Sequence, residues 1–139
     1  MLISTKGRYA LRIMTELAKH DSENMLPLKE IAKEQEISEK YLEAIIKSLV
    51  KAELVIGLRG KGGGYRLSRK PADYTIWEIL QATEGSLAPV ACLEGEKNLC
   101  PREDACITLP MWKGLNKLIH DYFSEISLEQ LMEETKKTL

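Results

Sequence analysis

The chain has 139 residues, 44% of them hydrophobic and 29% charged. That much apolar material supports a core, which excludes a disordered chain, and no apolar run approaches the ~18 residues of a membrane span. The net charge of −1 argues against a polyanion partner until it is divided: residues 1–71 carry a net +5 and residues 72–139 a net −6.

Taken in order, Met1-Leu-Ile-Ser-Thr-Lys lacks the apolar stretch of an export signal, so a cytoplasmic protein is expected. Ala10, Ile13, Met14, Leu17 and Ala18 recur at the spacing of one buried helical face, which predicts a helix over 4–19. Asp21-Ser-Glu-Asn24 is a polar break. Pro27 precedes a short second helix over 28–35, with Leu28, Ile31 and Ala32 inward. Ser38 is placed to cap a third helix, and Ile37 with Leu42 forms a hydrophobic staple across its start. Leu42, Ile45, Ile46, Leu49 and Val50 make the inward stripe. Two short helices joined by Glu36-Ile-Ser38 have helix-turn-helix proportions.

Leu54-Val-Ile56 and Tyr65-Arg-Leu67 read as short strands around Gly57-Leu-Arg-Gly-Lys-Gly-Gly-Gly64, a glycine-rich turn region. No acid lies between Glu53 and Asp73, whereas Arg59, Lys61, Arg66, Arg69 and Lys70 do. A basic hairpin directly after a helix-turn-helix is a wing, and a local basic stripe suits DNA whatever the total charge. The P-loop spacing is absent, and no nucleophile–base set is present: His20 and His120 stand far apart. An enzyme is therefore not expected.

In a helix-turn-helix the N-terminal part of the second helix faces base edges. This marks Ser38, Lys40, Tyr41, Glu43, Ala44 and Lys47 as DNA-binding residues, with Arg59 reaching the minor groove and Lys61 a phosphate. Glu43 is repelled by phosphate, so it reads as a residue of discrimination rather than affinity.

Pro71-Ala-Asp73 is a linker, dividing a DNA-binding region (1–73) from a second part (74–139) packed with it as one domain. Thr75-Ile-Trp-Glu78 is a capping box that opens a helix to about Thr83. A long helix then starts near Pro110 and runs to about Glu125. Its apolar residues, Met111, Trp112, Leu115, Leu118, Ile119 and Tyr122 among them, cover more than one face and predict dimerisation. Ser127-Leu-Glu-Gln130 is a second capping box, and residues 133–139 are expected to fray.

Between these helices lies a polar loop, 92–106, that holds all three cysteines: Cys92, Cys100 and Cys106. Thiols gathered in an exposed loop point to reactivity or to metal ligation, since structural cysteines are usually single and buried. An iron–sulfur cluster, a zinc site and a thiol–disulfide switch all remain open, although the tight pairs common at zinc are missing.

Ser4-Thr-Lys-Gly-Arg-Tyr-Ala10, Ile37-Ser-x-x-Tyr-Leu-Glu43, Arg59-Gly-Lys-Gly-Gly-Gly-Tyr65 and the three-cysteine loop together resemble the IscR-type iron–sulfur regulators, relatives of NsrR. The resemblance covers nearly the whole chain. It implies a mainly α, winged helix-turn-helix transcription factor with a two-stranded wing and a long C-terminal dimerisation helix, acting as a homodimer on a two-fold symmetric operator. It also implies a cluster held by Cys92, Cys100 and Cys106, 2Fe-2S or alternatively 4Fe-4S, and control of cluster-assembly genes. A nitric-oxide-sensing repressor and a zinc or thiol-switch repressor are the alternatives. The chain departs from the pattern at the fourth ligand: Leu109 stands where IscR proteins carry histidine, and Arg8 where NsrR-like relatives carry a carboxylate.

Overall fold

Helices appear where the apolar periodicity puts them. In the computed structural model, which describes residues 3–20 and 23–138 (135–138 by backbone alone), six helices surround one core. Met1, Leu2, Asp21, Ser22 and Leu139 lie outside the described residues, and with them half of the expected polar break after the first helix.

Helix α1, Thr5–Ala18, is capped by Ser4, whose hydroxyl accepts from the Gly7 N–H, and it buries Ala10, Ile13, Met14 and Leu17. α2, Leu28–Gln35, begins after Pro27 and ends at Glu36, which takes the left-handed conformation (φ 53°). α3, Glu39–Lys51, starts at Ser38, whose hydroxyl accepts from the Tyr41 N–H. Ile37 and Leu42 are both buried, as a staple requires.

The turn between α2 and α3 is held from α1. Arg12 donates from Nε to the Gln35 side-chain oxygen at 3.0 Å and from its terminal nitrogen to the Gln35 carbonyl. This supplies a donor to a carbonyl that the helix end leaves without one. The Gln35 amide in turn donates to Glu16, a buried carboxylate, at 2.7 Å.

Two antiparallel strands, β1 (Val55–Leu58) and β2 (Gly64–Leu67), form the hairpin, with Val55 opposite Leu67 and Leu58 opposite Gly64. Pairing runs further into the glycine-rich region than expected: β1 leaves out Leu54 and gains Gly57 and Leu58, and β2 keeps 65–67 and gains Gly64. Tyr65 also exchanges backbone hydrogen bonds with Leu26, which ties β2 to the chain entering α2. Gly64, at φ 145°, is required there because a Cβ would run into the Leu26 carbonyl.

The expected linker is a short 3-10 turn, Pro71–Asp73. Behind it Tyr74 is fully buried: its hydroxyl donates to the Leu54 carbonyl at 2.7 Å and accepts from the N–H groups of Ser68 and Arg69. α4, Ile76–Glu84, opens with the Thr75–Glu78 capping box and packs against α1. α5, Leu109–Ser124, carries Pro110 in its first turn. α6, Leu128–Thr138, opens on reciprocal bonds between Ser127 and Gln130 and is helical through Thr138, past the point where fraying was expected. Thr75 and Ser127 form an isolated bridge that brings the α4 and α6 starts together.

Candidate nucleic-acid interface and cysteine loop

The staple, the Ser38 cap and the buried stripe of α3 leave one face of that helix in solvent. Lys40, Tyr41, Glu43, Ala44 and Lys47 are all exposed on it, and Ser38 stands exposed at its tip. Arg59 and Lys61 are exposed on the hairpin turn. Glu43, Lys47 and Arg59 line one open cleft together with Val50, Leu58 and Tyr65, so recognition helix and wing share a groove. Gly57 makes room for the Tyr65 ring there, since a Cβ would stand 3.0 Å from it. A DNA strand seated between helix and wing would meet two cations, one carboxylate and an aromatic ring.

Periodicity does not reveal how α3 is seated on α1. Lys6 donates from Nζ to the Ser48 hydroxyl at 2.9 Å. Tyr9 meets Tyr41 edge to face, with ring centroids 5.8 Å apart, and the Arg12 guanidinium lies over the Tyr9 ring. These partners stand far apart in sequence, so local spacing carries no signal of them.

The cysteine loop is built from short turns. Ala91–Leu93 and Glu103–Ala105 are 3-10 turns, and the Asn98 side chain accepts from the Cys100 N–H at 2.9 Å. All three cysteines are free thiols: Cys100 is exposed, Cys92 and Cys106 half-buried. Cys92 and Cys100 line the same open depression. Cys106 faces the start of α5, where its sulfur lies 3.5 Å from the Thr108 hydroxyl. That hydrogen bond, with the backbone N–H groups of Thr108 and Leu109 and the Arg102 charge, holds the Cys106 thiol below the usual range. Among the described residues no cluster of three or more His, Cys, Asp or Glu side chains is already gathered around one centre. The donor chemistry suits thiophilic iron, and the loop would have to close to bring the sulfurs together.

Leu109 is buried in the core, and Arg8 bonds the Thr5 hydroxyl. His120 meets Trp77 edge on at 4.6 Å and contacts Asp121 and Ser124.

The long helix is divided cleanly. Ile119 and Phe123 pack against the core and Trp112 is half-buried, whereas Met111, Leu115, Leu118 and Tyr122 form an exposed stripe. Leu118 is 68% exposed and Tyr122 64%. Ile119, expected on the dimerisation face, packs on the core of its own subunit while staying half-exposed.

A three-helix head with a basic two-stranded wing defines a winged helix-turn-helix protein, the class in which regulators of transcription bind DNA. Residues 3–134 match the family model Rrf2, described as an iron-dependent transcriptional regulator, and the chain belongs to that family. The HTH-type transcriptional regulator IscR of Vibrio campbellii is 36% identical over 136 residues, spanning 98% of this chain and 80% of that protein. Protein rrf2 of Nitratidesulfovibrio vulgaris is 36% identical over 134 residues, 96% of this chain and 89% of that protein. Among solved structures, CymR, the global cysteine regulator of B. subtilis, superposes with a TM-score of 0.76 at 36% identity, covering 96% of this chain and 98% of its own. T. potens IscR gives a TM-score of 0.75 at 33% identity, covering 99% and 90%. Among the described residues no helix is long and apolar enough to cross a membrane.

Proposed function

We propose that this regulator senses iron–sulfur cluster status through Cys92, Cys100 and Cys106, and adjusts the transcription of cluster-assembly genes accordingly. The observation that carries this reading is the concentration of every thiol of the chain in one exposed loop that leads directly into α5. Iron–sulfur cofactors of thiolate sites take their ligands deprotonated, and the lowered Cys106 thiol is suited to that. The cluster is assigned as 2Fe-2S, with 4Fe-4S as the alternative; its fourth ligand is left to an oxygen donor of the loop or to a second subunit.

Residues 1–73 serve as the DNA-binding region and residues 74–139 as the sensing and dimerising part. Ser38, Lys40, Tyr41, Glu43, Ala44, Lys47, Arg59 and Lys61 form the contact surface. Two copies associate through Met111, Leu115, Leu118 and Tyr122, flanked by the half-buried Trp112 and Ile119, and read a two-fold symmetric operator, because dimeric helix-turn-helix proteins match half-sites about one DNA turn apart. Closing the loop on a cluster would shift the packing of α5 and so reset the separation of the two recognition helices.

The resemblance to CymR supports a second reading, a thiol switch that binds DNA without iron; one solved neighbour is an oxidised form of Staphylococcus aureus CymR. Iron and acid-labile sulfide analysis on protein purified without oxygen separates the two. Iron and sulfide in the proportion of a 2Fe-2S cluster, lost in Cys92→Ala, are expected. Metal-free protein that still binds DNA, with affinity changed by a disulfide, would replace the cluster with the switch.

A further inference from the structure

The N-terminus of α1 is held by a residue eighty positions away. The N–H and the hydroxyl of Ser4 both donate to Oε1 of Glu84, at 2.9 and 2.7 Å. The Ser4 hydroxyl oxygen accepts from the Gly7 N–H at 3.3 Å, so the carboxylate, the cap and the first turn form one relay. α1 has no acidic residue in its first turn; Glu84 brings the negative charge that a helix N-terminus favours, from the last residue of α4. Gly7 is buried, and a Cβ there would run straight into the Glu84 carboxylate. Position 7 is thereby fitted to Glu84.

Both ends of this relay lead to parts of the functional surface. Glu84 is followed by Gly85 at φ 80° and lines a cavity with Ile3, Leu87, Val90 and Ala91, the segment that delivers Cys92. On its flank, the same first turn of α1 holds the recognition helix through Lys6–Ser48 and, one turn on, through Tyr9–Tyr41.

We infer that Glu84 is a positioning residue: through Ser4 and Gly7 it sets the first turn of α1, and so couples the cysteine loop to the seat of α3 within one subunit. The coupling rests on the proposed sensing reading, since it takes iron loading as the event that moves the loop. It adds to any change at α5 a route that needs no second subunit.

The test compares wild type, Glu84→Ala and Gly7→Ala, each iron-loaded and iron-free under anaerobic conditions. Affinity for a DNA fragment selected with the wild-type protein is read by fluorescence anisotropy, and hydrogen exchange is followed at the amides of residues 5–9. Coupling between sites typically amounts to roughly 5–150-fold in affinity, and the wild type is expected near the lower end, about fivefold to tenfold. In both variants that ratio is expected to fall to about one, with iron content kept and exchange at residues 5–9 raised. Gly7→Ala carries the test if Glu84→Ala folds poorly, because alanine is the better helix former and a loss there is not a weakened helix. Wild-type discrimination surviving in both variants overturns the clamp alone. Equal affinities of loaded and iron-free wild type overturn the sensing reading and the clamp with it.

Discussion

Arg59 stands exposed on the wing turn beside the cleft it shares with Lys47 and Glu43. As a minor-groove contact its replacement by alanine is expected to cost about 1–3 kcal/mol of DNA binding, read as a fluorescence titration on an operator fragment. An unchanged affinity would take the wing off the DNA. Cys106 offers a prediction of a different kind. The Thr108 hydroxyl, the amides at the α5 start and Arg102 all favour its thiolate. In iron-free protein the alkylation rate of Cys106 should therefore rise to its plateau at a lower pH than an ordinary thiol requires. Thr108→Val should move that profile upward, with iodoacetamide labelling and peptide mass spectrometry as the measurement.

Helix placement depends on two polar knots that tie elements across the core. Tyr74 joins the chain before β1 to the chain after β2: one hydroxyl serves the Leu54 carbonyl and two N–H groups. Tyr74→Phe leaves the buried Leu54 carbonyl and two part-buried N–H groups without this partner, and should destabilise the fold by about 1–3 kcal/mol in urea unfolding. The second knot is Glu16. Burial raises its pKa, yet the Gln35 amide, the Lys19 ammonium and His20 together more than offset this and hold the carboxyl below its usual value. A depressed folded pKa means stability that is fully present above the unfolded carboxylate pKa and is lost as the pH falls through the folded one. Glu16→Gln should flatten this acid limb of the stability–pH curve. It should also loosen Gln35 and the turn into α3, since Gln35 is shared with Arg12.

Along the whole chain residues 1–71 are net basic and residues 72–139 net acidic, so a protein of net charge −1 still carries a basic stretch suited to DNA. Its α5 stripe is too apolar for a solvated face: Met111, Leu115, Leu118 and Tyr122 recur along one side of the helix with 39–68% exposure. Leu118→Asp is expected to leave the helix content unchanged, to give monomers by analytical ultracentrifugation, and to weaken binding to a two-half-site fragment far more than to a single half-site. Retained dimers would move the interface off α5.

How much of this was legible beforehand follows from the range of the forces involved. The helices, their caps at Ser38, Thr75 and Ser127, the staple of Ile37 on Leu42 and the glycine-rich wing are set by neighbours a few residues apart, and periodicity and capping chemistry reveal such features. The cysteine loop was legible for the same reason, as three thiols within fifteen residues. Contacts of long sequence separation left no such mark. That Ile119 packs inward while Leu118 turns out, that Glu84 holds the Ser4 cap of α1, that Tyr74 closes the wing root and that Glu16 is buried all depend on which faces the packed helices bring together. Local sequence determined the elements and the residue types at the site; burial and polar satisfaction in the folded core decided which side of each helix remained free to bind.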